Sequence, residues 1–381
     1  MTALPTAAWG IALAAGGALG AGVLAADVAL MRRLVLRGRT KVVPIEVDAA
    51  LESIVLPDTD AARMPGEFGV WVNGSRGHVR VGDVLGHGPG VVERRIVEVH
   101  GDLSDAAEGR WTGHTFAHAA STGLDYRDVD VPVEDGTRPA WVLPAGDGRR
   151  WALHLHGIKS SRASALRSVP IAAELGMTSI VPAFYGDVDA DAALDAGDVA
   201  QGSTLGVREA RDVEAAIAFA VESGAEELVL FGWSMGATIA LLLAESSRFR
   251  NRITQLVLIG PALSWRASIA RGIAAARLPA WVGPPLFRSL EARGLSKLAR
   301  MAEPTSFERL DWLRADRPVR VPTLVLHSAG DTDNELGESR ELASLNPSTV
   351  TVYEFPAVPH LMEWNAHRKL FESVVRDRLS P

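Results

Sequence analysis

The pentapeptide Gly232-Trp233-Ser234-Met235-Gly236 constrains this chain more than any other feature, because of what stands on either side of it. Before it lies the apolar run Leu228–Phe231, of strand length; after it comes Ala237 to Ala244, an apolar stretch of helix formers. A G-x-S-x-G sequence between strand and helix predicts a sharp turn that holds the serine hydroxyl outward. Glycines two before and two after the serine relieve crowding against neighbouring backbone. The helix that starts there aims unpaired N–H groups at the same spot, which favours developing negative charge.

A serine hydroxyl is a weak nucleophile unless a base takes its proton, so a histidine and an orienting carboxylate are expected downstream. The run Thr323 to Leu326 reads as a strand, and the His327-Ser328-Ala329-Gly330-Asp331 loop after it offers Asp331 as the acid, with Asp333 as the alternative. His327 is expected to brace that loop. The last strand, Val350–Phe355, leads into Pro356-Ala357-Val358-Pro359-His360, which makes His360 the expected base, with His367 as the weaker candidate. An oxyanion on the substrate needs about two donors. One is the N–H of Met235, next to the serine. The other is expected from the loop His156-Gly157-Ile158-Lys159, at Ile158 or else Lys159. His156 is expected to shape that loop by hydrogen bonding.

Strands and helices alternate from about residue 139, the rhythm of a parallel α/β sheet. Between about 262 and 318 the alternation gives way to apolar and Arg-rich stretches broken by Pro279, Pro284 and Pro285, expected to form a helical cap in which Trp265, Trp281, Phe287 and Trp312 could line an acyl pocket. The His156-Gly157 loop, the serine turn, the Asp331 loop and His360 together resemble the α/β-hydrolase superfamily over residues 139–381. The nearer likeness is to bacterial esterase-like and prolyl-oligopeptidase-like members, including membrane-tethered actinobacterial hydrolases with a β-rich leader. The resemblance implies a mostly parallel eight-stranded sheet and acyl hydrolysis without a cofactor. One departure is that Ile158-Lys159-Ser160, not a glycine run, follows the His-Gly.

Residues 41–138 form a separate β-rich stretch, with strand-like Val70–Val72, His78–Val81 and Arg95–Val99 punctuated by Asn73-Gly74 and by Gly86 to Gly90. Upstream, Ala7 to Ala26 holds no charged residue and approaches the length of a bilayer core. Arg32, Arg33, Arg37, Arg39 and Lys41 follow it, so residues 1–40 are expected to be a membrane anchor with its basic end, and the catalytic domain, in the cytoplasm. The alternative is an Ala/Gly-rich helix packed on the soluble domain. Gly16 and Gly20 make a G-x-x-x-G step.

Composition narrows the chemistry. With no cysteine there is no thiolate nucleophile, disulfide or Cys-ligated metal. Lys+Arg of 39 against Asp+Glu of 46, a net charge of −7, offers nucleic acid no overall basic field. The expected function is serine acyl hydrolysis of an ester, thioester or amide, through an acyl-enzyme on Ser234, with no cofactor, no metal and a small-molecule or lipid-like substrate. An acyltransferase or peptidase using the same three residues, and a catalytically silent tethered scaffold, are the alternatives.

Overall fold

The computed structural model describes residues 22–36, 41–187 and 201–380. Helix α1 covers residues 22–35. Most of the expected anchor, with Gly16 and Gly20, lies outside the described residues, among which no helix is long and apolar enough to cross a membrane. The start of the basic flank, Arg32 and Arg33, does not follow a membrane-crossing helix among the described residues. It lies in the second half of α1, and Met31 and Val35, four residues apart on one helical face, are buried in the main core. Arg32 and Arg33 stay exposed on the outer face.

Seven strands make the first sheet: β1 (Val43–Pro44), β2 (Glu46–Val47), β3 (Ser53–Pro57), β4 (Phe68–Val72), β5 (Gly77–Gly88), β6 (Val91–Gly101) and β7 (Glu108–Thr112), with the short helix α2 (Asp60–Arg63) between β3 and β4. Their order is β1-β7-β4-β5-β6-β3-β2, and every pairing is antiparallel. The Asn73-Gly74 break is the β4–β5 turn, with φ of 51° and 64°, values that Asn and Gly tolerate best. Gly86 and Gly88, expected in a turn, instead continue β5 in pairing with β6, and the turn comes at Gly90.

The second sheet has eight strands: β8 (Arg127–Val133), β9 (Gly136–Leu143), β10 (Arg150–Leu155), β11 (Thr178–Pro182), β12 (Glu227–Trp233), β13 (Ile253–Ile259), β14 (Thr323–Ser328) and β15 (Val350–Phe355), in the order β8-β9-β11-β10-β12-β13-β14-β15. Only the pairings of β9, with β8 and with β11, are antiparallel. This sheet therefore begins with the β8–β9 hairpin, upstream of the expected boundary at 139. Its central strands are apolar on both faces, as strands covered by helices on both sides must be. In β12, Leu228 and Leu230 join one core layer while Val229, Phe231 and Trp233 join the other.

Helices α3 (Val169–Glu174), α4 (Glu209–Glu222), α5 (Met235–Ser246), α10 (Leu336–Leu345) and the pair α11 (Glu363–Ala366) and α12 (Arg368–Leu379) flank this sheet. Between β13 and β14 stand α6 (Trp265–Ala275), α7 (Gly283–Glu291), α8 (Arg293–Leu298) and α9 (Phe307–Leu310), where the cap was expected. After β10 the chain moves to β11 on one side, then crosses to β12 on the other. The carboxyl ends of β10 and β12 thus flank a switch point of the kind where α/β folds place their sites.

Candidate active site

Ser234 sits at that switch point, between β12 and α5, with φ 53° and ψ −110°, a strained conformation for a residue with a side chain. The two flanking glycines are sterically obligatory. A Cβ on Gly232 would lie 2.6 Å from the Ala237 backbone, and one on Gly236 only 2.2 Å from the Leu155 carbonyl oxygen. The Ser234 N–H is taken by the Ile259 carbonyl, whereas Met235 opens α5 and carries an N–H that the helix cannot satisfy.

His360 stands between serine and acid. Its Nδ1–H donates to Asp331 Oδ2 over 2.6 Å, leaving Nε2 to accept from Ser234 Oγ at 3.1 Å. Asp331 Oδ2 also accepts from His327 Nε2 at 3.2 Å, and Oδ1 accepts from the N–H groups of Asp333 and Asn334, both at 2.9 Å. The Asp331 side chain is fully buried. Burial opposes its ionisation, but the hydrogen bonds from His327 and His360, the His360 charge and the Asn334 N–H prevail and hold the carboxyl well below the usual carboxylate range. Burial likewise disfavours the His360 imidazolium, yet the bond to Asp331 and its charge outweigh this and raise His360 above the ordinary histidine value.

The other sequence candidates fall into place around this array. Asp333 is exposed and offers its carbonyl to Arg271. His327 braces the acid loop, as expected: Nε2–H also donates to the Asn334 carbonyl and Nδ1 accepts from Ser339 Oγ. His367 packs beside Phe355, away from the array. His156 donates from Nε2 to Asp187 Oδ2 at 2.7 Å and stacks on Phe184, so it shapes the loop that carries Ile158. Gly157 brings that loop against the serine: a Cβ there would stand 3.3 Å from the Ser234 Cβ. Lys159 has φ 58° and donates to the Arg33 carbonyl, tying the same loop to α1.

A small cavity adjoins the serine, lined among others by Val35, His156, Gly157, Phe184, Tyr185 and Met235. None of the four cap aromatics lines it. Trp265 and Trp312 are buried in the main core, Phe287 packs edge-on against Phe307, and Trp281 is 73% exposed. The expectation that they could line an acyl pocket there is corrected because Trp265 and Trp312 are spent in the core and Phe287 against Phe307, while Trp281 faces outward.

Several residues that position the array escape sequence reasoning. Gly260, φ 49°, leaves room for it: a Cβ would lie 3.2 Å from Asp331 Oδ2 and 3.3 Å from His360 Cε1. Asn334 donates to the Gly260 carbonyl. Buried Arg167 donates to the carbonyl of Leu361, next to His360, and to Asn365 Oδ1. Asn365 in turn donates to the carbonyls of Glu67 and Gly113 and to Thr115 Oγ1, and His114 of the same segment reaches Ser160 Oγ at 3.2 Å. The β-rich module thereby touches α11, just after the histidine loop, and the loop after β10. Glu363 is fully buried; burial pushes its carboxyl up to about 7, while Oε1 accepts from the Ser328 N–H. The Gly-Pro after β13 is the one local sign of any of these in the sequence.

The family described as serine aminopeptidase, S33, matches residues 208–317, the stretch that contains the serine turn, and a domain of unknown function (DUF8805) matches residues 45–112, the first sheet. A search of curated proteins finds no match. Among solved structures, the Pyrococcus furiosus esterase Pf2001 is similar in fold, at 18% identity and a TM-score of 0.51, covering 69% of this chain and 94% of its own. EstE1, a thermophilic carboxylesterase from a metagenomic library, has 18% identity and a TM-score of 0.48 over 68% of this chain and 90% of its own. Mouse alpha/beta hydrolase domain-containing protein 10 has 18% identity and a TM-score of 0.47 over 66% and 97%. Sheet order, serine turn and family match together make this chain a member of the α/β-hydrolase superfamily, of the serine hydrolase class.

Proposed function

We propose that the chain hydrolyses a carboxylic ester through an acyl-enzyme on Ser234. One observation carries the reading: His360 lies within hydrogen-bond reach of both Ser234 Oγ, at 3.1 Å, and Asp331 Oδ2, at 2.6 Å. Ser234 Oγ attacks the acyl carbonyl carbon as its proton passes to His360 Nε2. The carbonyl oxygen gains the charge and is met by the N–H of Met235 and that of Ile158. The tetrahedral adduct collapses, the leaving alkoxide takes the proton from Nε2, and the acyl group stays on Ser234. Water then repeats the sequence, with His360 as its base, and releases the acid. Asp331, ionised throughout, keeps Nδ1 protonated and stabilises the imidazolium.

The matching family's description makes cleavage of an aminoacyl amide the second reading. The basic residues after the apolar run of residues 7–26 support a membrane-anchored molecule with this site on the cytoplasmic side. The test is hydrolysis of p-nitrophenyl esters of graded acyl length, beside an aminoacyl nitroanilide, by the full chain and by Ser234→Ala. Ester turnover lost in the variant supports the proposal. Anilide cleavage without ester turnover favours the peptidase, and turnover retained in Ser234→Ala overturns the mechanism.

A further inference from the structure

Away from the serine, the cap presents an unusual surface. Residues 265–300 carry six arginines and one lysine against a single carboxylate, Glu291, in a chain whose net charge is −7. Arg266 pairs with Glu291 at 3.5 Å and Arg271 with Glu338 at 2.6 Å. Among the described residues, no ion pair engages Arg277, Arg288, Arg293 or Lys297, and all four are exposed. Inside this cationic field every residue of 274–281 is exposed, and apart from Arg277 all are apolar, ending in Leu278-Pro279-Ala280-Trp281. Trp281 is 73% exposed, an uncommon state for the largest apolar side chain. A groove at α8, lined by Arg211, Arg293, Lys297 and Arg309 with Glu303 the only carboxylate among the described residues lining it, extends the positive surface.

The same α8 touches α1, where Arg32 Nε donates to the carbonyl of exposed Leu298 at 2.9 Å. Val23 and Leu24, on the first turn of α1, are 65% and 44% exposed and continue the apolar run of residues 7–26. We propose that the cap docks on an anionic lipid surface, with Leu278 to Trp281 inserted at the headgroup level and Arg277, Arg288, Arg293 and Lys297 against lipid phosphates. An exposed, Trp-bearing apolar turn in a segment rich in exposed cations suits a lipid interface, where the indole has its amphipathic place and each cation adds attraction. Nucleic acid would use the charges but gain nothing from the exposed leucine and proline. The rest of the molecule is acidic, so an anionic surface repels it and favours the cap-down orientation.

The proposal does not rest on the serine chemistry, and the Ser234→Ala protein should dock equally. The chain has no cysteine, so Ala280→Cys takes a single environment-sensitive fluorophore. The full chain, reconstituted in vesicles, should show a blue-shifted, severalfold brighter emission in phosphatidylglycerol-rich membranes than in pure phosphatidylcholine, quenched by spin-labelled acyl chains. A label at Ser344→Cys, exposed on α10, should not respond. Combining Arg293→Glu with Lys297→Glu should lower the docked fraction roughly tenfold or more. Equal emission in both membranes, or no acyl-chain quenching, overturns the proposal. So does a shift without vesicles that grows with protein concentration, which would mean that a second copy covers the tip.

Discussion

His360 draws its reactivity from a balance that can be read in pH. Nε2 must be free of a proton to accept one from Ser234, and Asp331 raises the His360 pKa above the ordinary value of 6.5. The acid limb of kcat/KM for ester hydrolysis should therefore have its midpoint above 6.5. A pH–rate profile of the full chain checks this. Glu363 behaves in the opposite sense to a paired carboxylate. Its folded value near 7 lies above that of the unfolded chain, so the protein loses stability as pH rises from about 4 to 7 and the buried group must ionise. Glu363→Gln removes that loss while keeping an acceptor for the Ser328 N–H. Urea midpoints should show the variant gaining on the parent across this range and levelling off above it. These residue-scale effects are only partly legible in sequence. Ser234, Asp331 and His360 follow from a local motif and chain order, whereas Gly260 and Asn334 act through contacts across the fold.

At the scale of elements, two segments outside the sheet hold the site in place. Asn365, on α11, gathers the carbonyls of Glu67 and Gly113 and links them through Arg167 to the loop of His360. Asn365→Ala leaves those buried groups unmatched and should cost about 1–3 kcal/mol of stability, read from a denaturant midpoint. Helix α1 is the second. Its Arg33 carbonyl holds Lys159, its Val35 carbonyl accepts from the Ser203 N–H, and Val35 lines the cavity beside the serine. Removing residues 1–36 should lower ester kcat/KM roughly 10- to 100-fold through misplacement of the loop after β10, with the fold retained by circular dichroism. The sequence shows a basic flank here because the charges of Arg32 and Arg33 are conspicuous. The Met31 and Val35 stripe that docks is only two residues long. The β8–β9 hairpin was similarly ambiguous, since Asp135-Gly136 marks a turn but not the sheet it serves.

At the scale of the molecule, an antiparallel module and a mostly parallel sheet meet where residues 113–115 touch both α11, just after the histidine loop, and the loop after β10. The division into a β-rich stretch and an α/β domain was legible because strand spacing and turn residues differ between them. Their contact was not, because it depends on side chains far apart in sequence, such as Arg167 and Asn365. The chemistry of the whole molecule turns on the nucleophile at the switch point. Its most direct test is a fluorophosphonate probe applied to the full chain, with the adduct located by mass spectrometry. A single adduct on Ser234, formed far more slowly in His360→Ala, is the predicted result. A folded chain left unlabelled, or labelled at another serine, would contradict it.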